Sequence, residues 1–127
     1  MPISARIILL IAAGSGFLSV ALGAFGAHGL KGKISESLFS AYQTGVQYQL
    51  YHTLILFAVA LLILRGLHTT LLTTSAMLFV MGIVFFSGSL YWLALGGPGW
   101  LGPITPLGGL LLLCGWVALA VAIFVSP

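Results

Sequence analysis

The chain has 127 residues, of which 61% are hydrophobic and only five are charged, namely four Lys or Arg and one Glu. Its mean hydropathy is +1.24. A soluble domain of this size needs a charged surface, so the composition excludes a soluble globular protein and predicts an integral membrane protein. At this length we expect a single membrane domain that covers residues 1–127.

Four apolar runs account for nearly all of the chain. A helix needs about 20 apolar residues to cross a hydrocarbon core of roughly 30 Å, and each run is long enough. The runs are continuous, whereas lipid-spanning strands alternate in polarity over about ten residues. The predicted fold is therefore all-α, a four-transmembrane-helix bundle with up-down topology and short loops. We expect helices at about 5–27, 36–65, 71–95 and 106–125.

The first predicted helix carries small side chains at every fourth position, which are Ser15, Ser19, Gly23 and Ala27. Lipid tails are as apolar as leucine, so membrane helices associate through close backbone contact at such positions. We expect this face to pack against another helix of the chain, and a symmetric dimer through the same face is the alternative. The apolar run is too long for a signal peptide, so we expect an uncleaved helix.

The second predicted helix starts at Ser35, a residue type suited to an N-cap, with Glu36 in its first turn. Its thirty residues would extend about 45 Å, so the first turns should lie outside the hydrocarbon. Spacings of three and four then place polar and small residues on one face. Polar groups below the headgroups are costly unless they are paired, so this face should point into the bundle. We call these residues the polar stripe: Tyr42, Gly45, Gln49 and His52.

The third predicted helix has small residues at every seventh position, which is typical of left-handed helix packing. They are Ser75, Gly82, Ser89 and Gly96. A connector rich in Gly and Pro follows. For the fourth helix, Thr105 is predicted as the N-cap and Pro106 as the first helical residue.

Several polar residues are predicted to reach the same depth. Counted from Arg65 at the inner boundary, His52 lies about 20 Å and Gln49 about 24 Å up the second helix. We expect a cluster near the outer face, over an apolar base, that also includes His28, Tyr42, Ser87, Ser89, Tyr91 and Thr105. Two interpretations stay open: a hydrogen-bonded structural plug, or a shallow outward-facing pocket for a lipid headgroup, an ion or a small amphiphile.

The reactive side chains are too few for most enzyme chemistry. Glu36 is the only acid, which excludes a carboxylate acid–base pair. A Ser–His dyad on His52 would have no acidic residue to orient its imidazole. His28 and Cys114 differ too much in depth to share a zinc ion. We therefore expect no enzymatic activity, no cofactor and no metal, and the absence of nucleic-acid motifs predicts no nucleic-acid partner.

Four segments resemble one known family. They are Gly-Ala-Phe-Gly-Ala-His-Gly-Leu (23–30), Thr-Gly-Val-Gln-Tyr-Gln-Leu-Tyr-His-Thr (44–53), Phe-Ser-Gly-Ser-Leu-Tyr (86–91), and Ile-Thr-Pro-Leu-Gly-Gly (104–109) with Gly-Trp at 115–116. In this order they are similar to the YgdD/YwdK-like small inner-membrane proteins, also called domain of unknown function 423. The resemblance covers essentially the whole chain. It implies four spans in a bacterial plasma membrane and implies no particular reaction.

Charge orients the predicted bundle only weakly. The face that holds both termini carries Arg6 and Arg65, and the other carries Lys31 and Lys33, offset by Glu36. We expect the termini in the cytoplasm. The expected role is structural or interactive, in membrane homeostasis, through membrane lipids and through a homo-oligomer or another membrane protein. The alternative is a binder or transporter of a small molecule, lipid or ion that uses the outer pocket.

Overall fold

The computed structural model describes residues 1–127, most of which form four long helices. They are α1 (Ile3–Phe25), α2 (Glu36–Leu64), α3 (Thr69–Ala94) and α4 (Leu101–Val125). A π-helical turn, Gly26–Leu30, extends α1. Each helix is long and apolar enough to cross a membrane. The prediction of an all-α protein with four such helices is confirmed.

Helix α2 begins as its sequence predicts. The Ser35 hydroxyl accepts a hydrogen bond from the Leu38 backbone N–H at 3.1 Å, and Glu36 lies in the first turn. The side chain thus satisfies one of the N–H groups that a helix start leaves without a partner. The predicted cap at Ser35 is confirmed.

Helices α2 and α3 both end at a glycine with positive φ. Gly66 has φ 88° and Gly96 has φ 95°, a backbone region that side chains with a Cβ rarely adopt. The next residue folds back in each case, and the Gly97 N–H reaches the Trp92 carbonyl at 2.8 Å. This is the Schellman pattern of helix termination. Gly96 therefore ends α3 and does not extend the row of small packing residues.

Helix α4 begins at Leu101, so the predicted cap at Thr105 is wrong. The Leu101 N–H bonds to the Pro98 carbonyl at 3.1 Å, which turns the chain into the helix one turn early. The Thr105 hydroxyl points back to the Leu101 carbonyl, 3.4 Å away. Pro106 consequently lies inside α4, where it has no N–H to offer the Gly102 carbonyl.

Helices that follow one another in the chain pack against each other, and α3 and α4 form the most extensive contact. Ser75 lies opposite Gly115 and Ser89 lies opposite Thr105, so α3 and α4 run in opposite directions. All four helices contribute to one apolar core, with Ala5, Ile8, Leu56, Val59, Phe79, Leu112 and Leu119 among its members.

The α3–α4 contact depends on small residues from both helices. A Cβ at Gly82 would lie 2.5 Å from Leu112 Cδ2, and one at Gly108 would lie 2.2 Å from the Phe86 backbone nitrogen. Helix α4 has its own buried row at every seventh position, which the sequence interpretation missed: Leu101, Gly108, Gly115 and Ala122. The small residues in these two rows let the two backbones approach closely.

Candidate functional site

The side chain of Gln49 lies between α1 and α3, and it is 5% exposed. Its Oε1 accepts a hydrogen bond from the Tyr91 hydroxyl at 2.6 Å. Its Nε2 lies 3.2 Å from both the carbonyl oxygen and the hydroxyl of Ser15. One amide on α2 therefore bonds to both neighbouring helices.

The hydroxyl groups around Gln49 have a defined donor order. The Thr53 hydroxyl donates to the Gln49 carbonyl at 2.7 Å, so its proton is used there. The Ser15 hydroxyl, 2.7 Å from Thr53 Oγ1, is then the donor in that pair, and it accepts from Gln49 Nε2. Ser19 donates to the Ser15 carbonyl at 2.8 Å. This donor order also shows which end of the Gln49 side-chain amide is the oxygen, because the nitrogen end must face the Ser15 carbonyl, which can only accept.

His52 makes hydrogen bonds through both ring nitrogens. The Trp116 indole Nε1–H lies 3.1 Å from His52 Nε2, and His52 Nδ1 lies 2.8 Å from the Tyr48 carbonyl oxygen. An indole N–H can only donate and a carbonyl can only accept, so the proton is on Nδ1 and the ring is neutral. With both nitrogens occupied, the imidazole has no free position to act as a base or a metal ligand.

The remaining polar groups of the bundle pair locally, between adjacent helices. Ser87 Oγ donates to the Gly45 carbonyl at 2.6 Å, which joins α3 to α2. The Ser89 and Thr105 hydroxyl oxygens lie 2.6 Å apart and join α3 to α4. The Tyr42 hydroxyl donates to the Leu22 carbonyl, which joins α2 to α1.

The eight residues of the predicted cluster do not all meet. Gln49 bonds to Tyr91, and the Tyr42 ring lies 5.2 Å from the Tyr91 ring. His28 is exposed on the π-helical turn and bonds to none of them. The other contacts lie between separate helix pairs: His52 with Trp116, Ser87 with Gly45, and Ser89 with Thr105. Three of the eight, Tyr42, Gln49 and His52, each line a different groove.

The predicted packing rows lie mostly at helix contacts. Ser15 bonds to α2, Ser19 is buried, and a Cβ at Gly23 would meet Val46 Cγ1 at 3.5 Å. Ala27, the last residue of that row, is exposed. On α3, the row of Ser75, Gly82 and Ser89 faces α4, whereas Gly96 lies beyond the helix end.

The expected apolar base also contains polar contacts. Ser75 is fully buried about 9 Å along α3 from Thr69. Its hydroxyl donates to the Gly115 carbonyl at 2.8 Å. Hydrophilic side chains therefore extend further towards the end of the bundle that holds the termini than depth counting along single helices predicts.

Sequence reasoning missed two partners in this network, Thr53 and Trp116. Thr53 follows Gln49 by four residues, the spacing at which a Thr hydroxyl reaches a carbonyl in its own helix. Trp116 follows Gly115, a member of the buried row of α4, so recognising that row would have placed its ring near the bundle. Both signals were therefore present in the sequence.

The network leaves no buried polar side-chain atom without a partner. No three His, Cys, Asp or Glu residues lie close enough together to hold a metal ion. Every charged side chain is exposed, at one end of a helix or the other. The interior is thus built to join helices, because its donors and acceptors are already used.

Comparison with known proteins gives consistent matches over most of the chain. A family model described as protein of unknown function (DUF423) matches residues 22–109. The chain is 45% identical over 119 residues to the UPF0382 membrane protein YwdK of Bacillus subtilis, covering 92% of this chain and 95% of the relative.

Two further relatives come from other bacteria. A UPF0382 membrane protein of Haemophilus influenzae is 46% identical over 118 residues, with 93% of this chain and 94% of the relative covered. The UPF0382 inner membrane protein YgdD of Escherichia coli is 41% identical over 118 residues, with 93% and 89% covered. No solved structure matches the chain.

Proposed function

The chain belongs to the DUF423 family of membrane proteins, and we propose that it acts there as a non-enzymatic structural or interaction protein in membrane homeostasis. One observation carries this proposal: every buried polar side-chain atom has a partner within the chain. A substrate or transported ion needs groups that are free to bind it, and an unpaired polar group in hydrocarbon would be costly. The interior polar residues therefore act as the structural plug.

In this proposal, the outer surface of the bundle makes the contacts with partners. Large apolar side chains point outwards from all four helices, for example Phe17 on α1, Leu54 on α2, Met77 on α3 and Phe124 on α4. Membrane lipids are the expected partners, together with a second copy of the chain or another membrane protein. Such partners need no free polar group inside the bundle.

Complementation of a deletion strain under membrane stress, such as a sublethal detergent, tests the non-enzymatic role. His52→Gln and Ser89→Ala remove the side chains best placed for catalysis, and we expect both variants to restore growth fully. Gly108→Val is the control that should fail to restore growth, because its side chain would clash with the Phe86 backbone and disrupt the fold. Loss of complementation by a His52 or Ser89 variant with wild-type thermal stability would contradict the proposal.

A second candidate role, binding of a lipid headgroup, is supported by one groove. It has a volume of about 390 Å³ and lies between the connector at residues 31–35 and the start of α2, lined among others by Lys31, Glu36, Ser40 and Gln43. Native mass spectrometry after extraction with anionic or zwitterionic lipid tests this role. We expect retained anionic lipid to be lost in Lys31→Gln and kept in Arg6→Gln, on the opposite face.

We further propose that the protein resides in the bacterial plasma membrane with both termini in the cytoplasm. The bacterial origin of its relatives supports the membrane assignment, and Arg6 and Arg65 near the termini support the orientation. Cys114 is the only cysteine, so Cys114→Ser gives a clean background. With an impermeant maleimide on intact cells, Lys33→Cys should be labelled and Ser126→Cys should be protected. The reverse pattern would overturn this orientation.

A further inference from the structure

A groove on the lipid-facing side of the bundle runs between α2 and α4. It has a volume of about 470 Å³, which is within the range of small-molecule sites. We call it the aromatic groove, and its lining includes Tyr48, His52, Phe86, Gly109 and Trp116. Its wall shares His52 and Trp116 with the polar network, where they bond to each other, whereas Tyr48, Phe86 and Gly109 contribute no side-chain hydrogen bond to that network.

Flat rings form the walls of the aromatic groove. The Tyr48 and Phe86 ring centroids are 4.8 Å apart, and the His52 and Trp116 centroids are 5.9 Å apart with an edge-on arrangement. Tyr48 is 40% exposed and Trp116 is 42% exposed, so both present ring surface to a neighbour. Gly109 adds no side chain to the lining, and even a Cβ there would lie 3.7 Å from the Phe86 ring.

One hydrogen-bond donor in the aromatic groove is free. The Trp116 N–H and both His52 nitrogens are already bonded. The hydroxyls of Tyr42 and Tyr91 bond to other helices, whereas the Tyr48 hydroxyl bonds to no group of the chain. The Tyr48 backbone lies about 24 Å along α2 from Leu64, which is within a hydrocarbon core of roughly 30 Å. An acceptor that reaches this hydroxyl would therefore relieve the cost of an unpaired polar group.

We propose that the aromatic groove binds the ring of a lipid-soluble quinone, with the Tyr48 hydroxyl donating to a ring carbonyl. Such a ring is flat and stacks on aromatic side chains. Its carbonyl oxygen can accept a hydrogen bond from the Tyr48 hydroxyl, which has no partner in the chain. An acyl chain has no flat face, and its only acceptor is the ester carbonyl at its headgroup end. The proposal concerns binding alone and goes beyond the structural role, which does not depend on it.

Trp116 fluorescence provides the test, in nanodiscs that contain the Trp92→Phe/Trp100→Phe protein. The chain has three Trp residues, so this background leaves Trp116 as the only indole. The probes are a benzoquinone and a naphthoquinone, each with one isoprene unit, and an isoprenoid alcohol without a ring. We expect saturable quenching by at least one quinone and none by the alcohol. Comparing the two quinones shows whether the groove prefers a benzoquinone or a naphthoquinone ring.

Matched variants distinguish binding from partitioning into the lipid. Tyr48→Phe keeps the ring and removes the donor, so we expect the apparent Kd to rise about five- to tenfold. Tyr51→Phe removes a phenol that lies outside the groove and should change nothing. Gly109→Leu should fill the groove and abolish saturation, whereas Gly88→Leu should not, since Gly88 lies outside the lining and has open space beside it.

Two results would overturn the proposal. One is linear, unsaturable quenching that is equal in all variants, which means partitioning alone. The other is an unchanged Kd in folded Tyr48→Phe protein. If the Gly109 variant does not fold, as judged by circular dichroism, the comparison of Tyr48→Phe with Tyr51→Phe still decides the question.

Discussion

The Gln49 amide accepts the Tyr91 hydroxyl at 2.6 Å and donates on its other side to Ser15. This single side chain bridges α1, α2 and α3 at membrane depth. Helix α1 has only a few other buried residues, mostly small, such as Ala5 and Ala12. The position of α1 thus depends on polar bonds as well as on apolar packing.

A double-mutant cycle on Gln49 and Tyr91 should give a favourable coupling. Gln49→Ala and Tyr91→Phe each remove one side of the 2.6 Å bond. We expect a coupling free energy of about 0.6 kcal/mol, the average for such bonds in membranes, with about 1.7 kcal/mol as the upper end. Equilibrium unfolding in SDS–detergent mixtures measures it. The exposed Gln47 on α2 and Trp92 on α3 form a control pair for which we expect no coupling. Additive effects at Gln49 and Tyr91 would contradict the bridge.

Replacing Trp116 by Phe should destabilise the fold through His52. The variant keeps an aromatic ring in place but removes the N–H that His52 Nε2 accepts at 3.1 Å. The acceptor is then left in hydrocarbon, and we expect a loss of about 1 kcal/mol in unfolding free energy. Trp92→Phe is the control, because its indole is 52% exposed and makes no hydrogen bond in the chain. Equal stability of the two variants would argue against this role for the indole.

Local and periodic signals predicted much of the fold. Continuous apolar runs predicted four spans, and a Ser followed by Glu predicted the start of α2 at Ser35. Small residues at every seventh position predicted a close contact, and Ser75 and Gly82 indeed pack against α4. These signals work because a membrane restricts helix length, and a helix start restricts the residue that caps it.

Depth counting failed where direction around the helix axis mattered. Height along the helices predicts one cluster for His28 and His52, yet His28 is exposed and His52 faces α4. The Thr-Pro pair predicts a cap at Thr105, but the Thr105 hydroxyl bonds to Ser89 across the helix contact. Tertiary contacts of this kind depend on the rotation of one helix against another, which single-helix patterns do not contain.

His68 should contribute to stability as the N-cap of α3. Its Nδ1 accepts the Leu71 N–H at 3.2 Å, and its own backbone N–H bonds to the Ser126 hydroxyl at 2.9 Å. We expect His68→Ala to cost about 1 kcal/mol and His68→Asn to restore most of it, since Asn is a good cap. Thermal unfolding in detergent micelles measures the difference. If the Ala and Asn variants are equally unstable, the side-chain cap is not what stabilises this end.

Two glycines of α4 should respond to alanine with opposite signs. A Cβ at Gly108 would lie 2.2 Å from the Phe86 nitrogen and 2.7 Å from the Phe85 carbonyl carbon, which are backbone atoms that cannot rotate away. Helices α3 and α4 would have to separate, so we expect Gly108→Ala to destabilise the protein by about 1–3 kcal/mol. The same change at Gly109, where a Cβ would make only an ordinary contact of 3.7 Å with the Phe86 ring, should be neutral or stabilise by up to about 1 kcal/mol, because alanine favours a helix.

The comparison of these two glycine variants isolates packing from helix propensity, since both residues lie in α4 and gain the same methyl group. SDS-induced unfolding followed by circular dichroism gives both free energies. In the Gly108 variant, the Ser75 and Ser89 hydrogen bonds to α4 should weaken as well, because they need the same close approach. Faster amide exchange in α4 of that variant alone would confirm the separation. Equal stability of both variants would contradict the close approach of α3 and α4 at Gly108.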